Sequence, residues 1–193
     1  MAKLPTLGLG IDFETSGLSW DQDSSIEYQG ISFGAVIFDT TTLLPLSTIY
    51  REIKFNSDKY KWSDSAEKVH GLSREHLDKE GISIEEAACD LAEFILQNFG
   101  PASKVIFLGH NTDFDISFCK QLLEPFDLMP KLHHVVLDVS SLGLLTIGLY
   151  SSNDVFEFLG FPKRDTHHAL EDILQTLESA RRIKMIVNNG LGI

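Results

Sequence analysis

The stretch 7-LGLGIDFETSG-17 places two carboxylates, Asp12 and Glu14, at the end of an apolar run. If the run is a strand, its side chains alternate between faces. Leu7, Leu9, Ile11 and Phe13 then share one face, and Gly8, Gly10, Asp12 and Glu14 share the other. Like charges on one face repel, and the flanking cations in sequence, Lys3 and Arg51, lie away along the chain. What these two acids face decides how the rest of the chain is organised.

The chain has 193 residues, enough for one domain with a substantial core, and one domain spanning 1–193 is the expectation. Its 43% hydrophobic and 23% charged residues are ordinary for a globular protein. No apolar run approaches the roughly 20 residues of a membrane helix, so no membrane association is expected. The first ten residues, MAKLPTLGLG, lack the long apolar segment of a signal peptide. Two cysteines without a CxxC spacing indicate neither a disulfide framework nor a cysteine zinc site. A reducing, cytoplasmic setting is expected. The net charge of −12 argues against a broad basic surface that grips a nucleic acid backbone. It leaves open an enzyme that holds a few nucleotides through bound cations.

Beyond the first run, GISFGAVIFD (30–39) and LSTIYREIKF (46–55) are rich in β-branched and aromatic residues and separated by a turn-like TTTLLP. They complete an antiparallel meander of three strands. Residues 63–81 form short helical pieces broken at Gly71, and 83–100 form an amphipathic helix capped by Ser83 and ended by Gly100. KVIFLGH (104–110) is a buried strand, followed by a helix over 112–126, a second apolar run at 133–139 and helical segments to the end. The expected class is α/β: a mixed five-stranded sheet, antiparallel first and then parallel, flanked by helices.

Projecting 112–126 at 100° per residue gathers Phe114, Phe118, Cys119, Leu122, Leu123 and Phe126 into one apolar arc. Asp115 falls near its middle and Asp113 outside it. An acid in a first helical turn favours the dipole, which accounts for Asp113 but not for an acid among core phenylalanines. On the last helix, Ala169, Ile173, Thr176, Leu177, Ala180, Ile183 and Val187 form the buried stripe, with Asp172 at its rim. Four acids from three segments thus converge, and no lysine or arginine is patterned to balance them. Burying them unpaired costs several kcal/mol per charge, so divalent cations with oxygen ligands, magnesium or manganese, are expected. Two such ions about 4 Å apart form the known arrangement for phosphodiester hydrolysis. Without them the acids repel, so Asp115→Asn or Asp172→Asn is expected to raise stability.

The segments IDFETSG, GHNTDFD and HHALEDI resemble the three motifs of the DEDDh exonucleases, which include the proofreading subunit of bacterial DNA polymerase III, ribonuclease T and oligoribonuclease. Asp12, Glu14 and Gly17 match the first motif; His110, Asn111, Phe114 and Asp115 match the second; His167, Ala169 and Asp172 match the third. AEKVHGLSREHL (66–77) resembles the family's His-Gly segment. The resemblance implies a ribonuclease H-like fold and 3′→5′ exonucleolysis of single-stranded DNA or RNA, releasing nucleoside 5′-monophosphates. It implies two Mg2+ or Mn2+ ions, with Asp12, Glu14 and Asp172 as ligands, Asp12 bridging and Asp115 acting through water. His167 is the implied general base, five residues before Asp172; His168, four before it, is the competitor and is expected to be supporting or exposed. Phe13, Thr15, Gly17, Leu18, His70 and Asn111 are the candidate substrate contacts. The natural substrate and any polymerase or homodimer partner stay open.

One feature departs from the family. The connection SWDQDSSIEYQG (19–30) is longer than usual and lies beside the expected terminal-nucleotide site. Its DQDSS lacks the glycine and terminal glutamate of a calcium loop. Gly8 and Gly10 lack the third glycine of a dinucleotide fingerprint. Cys89 and Cys119 are expected as core thiols, His76 as exposed, His133 and His134 as packing or surface residues, and Lys163 and Arg164 as phosphate contacts or a solvated loop. A binding module that keeps the fold without the chemistry is the rival function, and a metal-dependent nuclease of another cut mode is weaker.

Overall fold

The computed structural model describes residues 5–19, 23–101 and 104–191. Lys3 and the 20–22 part of the long connection lie outside the described residues. The chain runs β1 (Leu7–Thr15), α1 (Ser24–Glu27), β2 (Gly30–Asp39), β3 (Pro45–Glu52), α2 (Asp64–His70), α3 (Arg74–Glu80) and α4 (Ile84–Phe99). It continues through β4 (Val105–Gly109), α5 (Thr112–Leu123), β5 (Leu132–Asp138), α6 (Val139–Ile147), α7 (Ser152–Phe158) and α8 (Ala169–Leu191). The sheet order is β3-β2-β1-β4-β5; β1, β2 and β3 form the antiparallel meander, while β4 runs parallel to β1 and β5 parallel to β4. This is the expected mixed sheet.

Alternation along β1 divides the core. Leu9, Ile11 and Phe13 pack with Ala87, Leu91 and Phe94 of α4 and Phe118 and Leu122 of α5. On the opposite face, Val36 and Phe38 of β2 and Leu108 of β4 pack with Val139, Val155 and Phe156 and with Ile173, Leu177, Ala180 and Ile183 of α8. Asp12 and Glu14 belong to this second face.

Two glycines let α8 reach it. A Cβ on Gly10 would stand 2.8 Å from Val36 Cγ1 and 3.0 Å from Ile173 Cγ1. Gly34, the cross-strand partner of Asp12, is more demanding: its Cβ would lie 2.2 Å from the Leu170 backbone nitrogen. Backbone cannot yield as a side-chain tip can, so the first turn of α8 seats on β2 only over a glycine. That seat puts Asp172, two residues beyond Leu170, beside Asp12.

Some elements end differently from their sequence patterns. β3 stops at Glu52, and Ile53 instead bridges to Ile82. The helix after β4 is α-helical only to Leu123 and tightens to a 3-10 turn over Glu124–Phe126, whose Pro125 brings no N–H; Phe126 is left exposed. Cys119 is buried, but Cys89 is exposed, because Ala87, Ala88, Leu91, Phe94 and Ile95 complete the buried stripe of α4 without it. Both thiols are free. Among the described residues, no helix is long and apolar enough to cross a membrane.

The seat of α8 can be tested by adding one carbon. Gly34→Ala is expected to destabilise the protein by about 1–3 kcal/mol, the usual scale of overpacking against rigid neighbours. Urea unfolding measures it; a loss under about 0.5 kcal/mol, within the range of neutral surface changes, would show that α8 does not depend on the glycine.

Candidate active site

β4 pairs with β1 over Gly8, Leu9 and Gly10, so the two parallel strands part before β1 ends. In the gap, the Phe13 N–H donates to Asp115 Oδ1 at 3.1 Å. The Phe13 ring stays on the other face, buried against Phe33 and Phe118, so this candidate substrate contact offers the cleft its backbone rather than its ring. The strand-to-helix corner that aims Asp115 turns at Asn111, whose φ of 63° lies in the left-handed region that asparagine tolerates. Asn111 itself is exposed and makes no side-chain cap bond. The first turn of α5 is held instead by Asp138: Oδ2 accepts from the Thr112 N–H at 2.8 Å, while Oδ1 accepts from the Ser141 N–H at 2.7 Å. The sequence motifs do not include Asp138, although an acid ending a strand before VSS is a cap signal for the following helix.

Asp12, Glu14, His167 and Asp172 line a cleft of about 540 Å³, within the range of small-molecule sites. Asp115 is only 2% exposed and does not itself line the cleft, and Asp113 is exposed. Leu18, Val69, Ala66, His70, Thr15 and Gly17 form one wall, and His110, Phe114, Ser152, Phe156 and Arg164 the other. Leu18 is 45% exposed, leaving an apolar surface at the cleft mouth. Gly17 has no room for a side chain: a Cβ would meet the Tyr28 ring at 2.1 Å. Thr15 Oγ1 donates to the Gly17 carbonyl at 2.8 Å, which fixes this turn.

No lysine or arginine is patterned to balance these acids, yet the structure brings one to them from a loop. Arg164 Nη1 stands 2.5 Å from Asp172 Oδ2, with both side chains almost wholly buried. Its position in a loop, outside any periodic pattern, hid this pairing. Asp172→Asn therefore brings no gain in stability, since it would leave a buried guanidinium without its carboxylate. Arg51, the other flanking cation, pairs with Asp90.

One guanidinium does not satisfy four acids. Glu14 Oε1 and Asp172 Oδ1 are buried without a hydrogen-bond partner among the described residues. Burial, together with the charge of Asp172, pushes the Glu14 carboxyl up to about 7. Burial and then the charges of Asp115, Glu14 and Asp172 hold Asp12 well above the usual carboxylate range, against the pull of Arg164. Asp115 is likewise raised by burial, despite the Phe13 N–H. Ligand atoms of Glu14, His167 and Asp172 all lie within 4.8 Å of one another. Oxygen-rich, desolvated and short of positive charge, this donor set fits a hard divalent cation.

The two adjacent histidines part company. His167 lies just before α8, its N–H donating to the Val69 carbonyl at 2.9 Å, and its Nδ1 is 3.2 Å from Asp172 Oδ2. His168 turns away and stacks on Tyr50 of β3 at a ring separation of 4.3 Å. It is half-buried there rather than exposed. His70 is buried with Nδ1 accepting from the Leu72 N–H at 3.0 Å, and burial lowers its pKa. His110 binds the Tyr150 carbonyl through Nε2 at 2.8 Å, with its pKa also lowered by burial. His76 is exposed and pairs with Glu52, and the rings of His133 and His134 stack on each other.

Comparisons with known proteins bear on the fold and the family. The family model RNase_T, described as exonuclease, matches residues 9–179. Comparison of the sequence with curated proteins returns no match. The fold is similar to E. coli exonuclease I in complex with a dT13 oligonucleotide, at 15% identity and a TM-score of 0.74 over 93% of this chain and 41% of that one. A zinc-bound form of the E. coli exonuclease I–ssDNA complex gives 15% identity and 0.74 over 94% of this chain and 41% of that one. A 3′-exonuclease recognising the histone mRNA stem-loop gives 15% identity and 0.71 over 96% of this chain and 84% of that one. The chain thus spans about two fifths of the exonuclease I structures it matches.

The raised carboxyl of Glu14 makes metal-free stability depend on pH. A carboxyl whose folded pKa exceeds its unfolded value contributes stability fully present below about 4.5 and lost as pH rises through about 7. The metal-free protein is expected to lose on the order of 3 kcal/mol from Glu14 between pH 4.5 and 8, with Asp12 and Asp115 acting in the same direction. Thermal unfolding in chelator measures it, and Glu14→Gln should flatten the profile. A wild-type profile that rises through this window would contradict the charge assignment. The chain belongs to the RNase_T exonuclease family.

Proposed function

We propose that the protein is a 3′→5′ exonuclease that hydrolyses the last phosphodiester bond of single-stranded DNA or RNA and releases nucleoside 5′-monophosphates. The observation that carries it is the meeting of Asp12, Glu14 and Asp172 in a nucleotide-sized cleft with Asp115 buried next to them, two of their oxygens buried without a partner among the described residues, in an exonuclease-family chain. We take the described residues as one exonuclease domain working in a reducing, cytoplasmic setting, in keeping with its free thiols.

Asp12, Glu14 and Asp172 would hold two magnesium or manganese ions, with Asp115 acting through water and through its grip on the Phe13 N–H. Bound there, the ions supply a lower pKa for water and offset charge on the departing 3′ oxygen. The protein supplies the rest. Leu18, Val69 and Ala66 give an apolar wall against which a terminal base can lie out of water. His70 and Thr15 sit beside it, where sugar and backbone groups need polar partners. His167 serves as the general base. It precedes α8 and is partly exposed, so it can leave Asp172 Oδ2 and take a proton from the attacking water. His168, held against Tyr50, supports the start of α8. One similar fold is solved in complex with a dT13 oligonucleotide and another is a 3′-exonuclease that recognises an mRNA stem-loop, so both sugars belong in the assay.

Digestion of 5′-labelled single-stranded DNA, single-stranded RNA, duplex and dinucleotides with magnesium tests the proposal. A ladder shortening from the 3′ end is expected, abolished by chelator and by Asp12→Ala. His167→Ala should lower kcat by about 10²-fold or more, the scale for losing a positioned base, and His168→Ala by much less. Internal cuts, or full activity in excess chelator, would overturn it.

A further inference from the structure

Arg164 is more than a counter-ion to Asp172. Its guanidinium lies in the cleft wall, gripped on the far side by α7: Nη2 donates to Asn153 Oδ1 at 2.8 Å, and the group sits 4.8 Å from the centre of the Phe156 ring. A charged group held by a neutral amide and an aromatic face is anchored without being neutralised there. Only its inner edge meets a carboxylate, Asp172 Oδ2, and the same oxygen receives His167 Nδ1. One oxygen therefore holds both the proposed base and the cleft's resident guanidinium.

We propose that Arg164 is a substrate-phosphate ligand that Asp172 holds in the metal-free cleft and yields when a divalent cation takes that carboxylate. This rests on the nuclease reading above. A divalent cation on Asp172 repels a guanidinium on the same carboxylate, so Arg164 and the cation compete for it. Released from Asp172 but still held by Asn153 and Phe156, the guanidinium keeps its place in the cleft wall. The anion that then pairs with it is the phosphate of the bound nucleotide, whose oxygens match the planar donor fork. Charge also balances: four carboxylates and one guanidinium carry −3, two divalent cations bring +4, and one phosphodiester brings −1. The substrate phosphate thus completes neutrality only when Arg164 is counted. The same exchange frees His167 from Asp172, so the base and the phosphate ligand become available together.

Competition predicts effects of opposite sign, which a purely structural role does not. Manganese binding, followed by calorimetry without substrate, should become about tenfold tighter in Arg164→Met, because a competing cation is gone. Binding of thymidine and uridine 5′-monophosphates in saturating manganese should weaken by about tenfold or more, with KM for the oligonucleotide rising in parallel. Arg164→Lys should keep manganese affinity near wild type, with intermediate nucleotide affinity, and serves if the methionine variant fails to fold. Weaker manganese binding, or unchanged nucleotide binding, in a folded variant would overturn the proposal. Manganese titration needs no turnover, so it stands apart from the nuclease reading, which fails instead if the wild-type protein cleaves no oligonucleotide.

Discussion

Four carboxylates meet at one end of the sheet with, among the described residues, one buried guanidinium beside them, and the surrounding structure holds that repulsion in place. Asp12 and Glu14 arrive on one strand face through simple alternation. Asp115 comes from the opposite layer, passing through the gap where β4 leaves β1, and is anchored by the Phe13 N–H. Asp172 comes from α8, which reaches the sheet only because Gly34 presents no Cβ to its first turn. A strand gap and a glycine seat are thus the two devices that bring three segments together.

Such a site stores electrostatic stress in the absence of cations. Burial and like charge raise the carboxyls of Asp12, Glu14 and Asp115, so protons stand in for missing positive charge. Arg164 relieves Asp172 in the same way, by proximity rather than by protonation. Protons and a guanidinium are both replaceable, which suits a site that must exchange its counter-charges. His167 shares in this resting arrangement, leaning on Asp172 from a segment that helix geometry does not fix.

Much of this was legible in sequence because the signals were local and periodic. The alternation of residues 7–14 placed Asp12 and Glu14, and β2 spans the 30–39 that its composition indicates. Helical projection put Asp115 on the buried face, where it is 2% exposed and accepts the Phe13 N–H. What stayed hidden was non-local or aperiodic. Arg164 sits in a loop, and no spacing foretells that it folds back onto Asp172. His168 finds Tyr50, more than a hundred residues earlier, and the apolar arc drawn through Phe126 ignored the tightening of the chain at Pro125. Cys89 looked apolar by type, yet its place one turn after the exposed Glu85 puts it outside the buried stripe.

The central claim is that protons now occupy a site built for divalent cations. Calorimetric titration of the metal-free protein with manganese at pH 7, in two buffers of different ionisation heat, measures the protons displaced. With Glu14 near its midpoint and Asp12 raised, binding should release about half a proton or more per chain. Binding with no proton release, or no binding at all, would contradict the account.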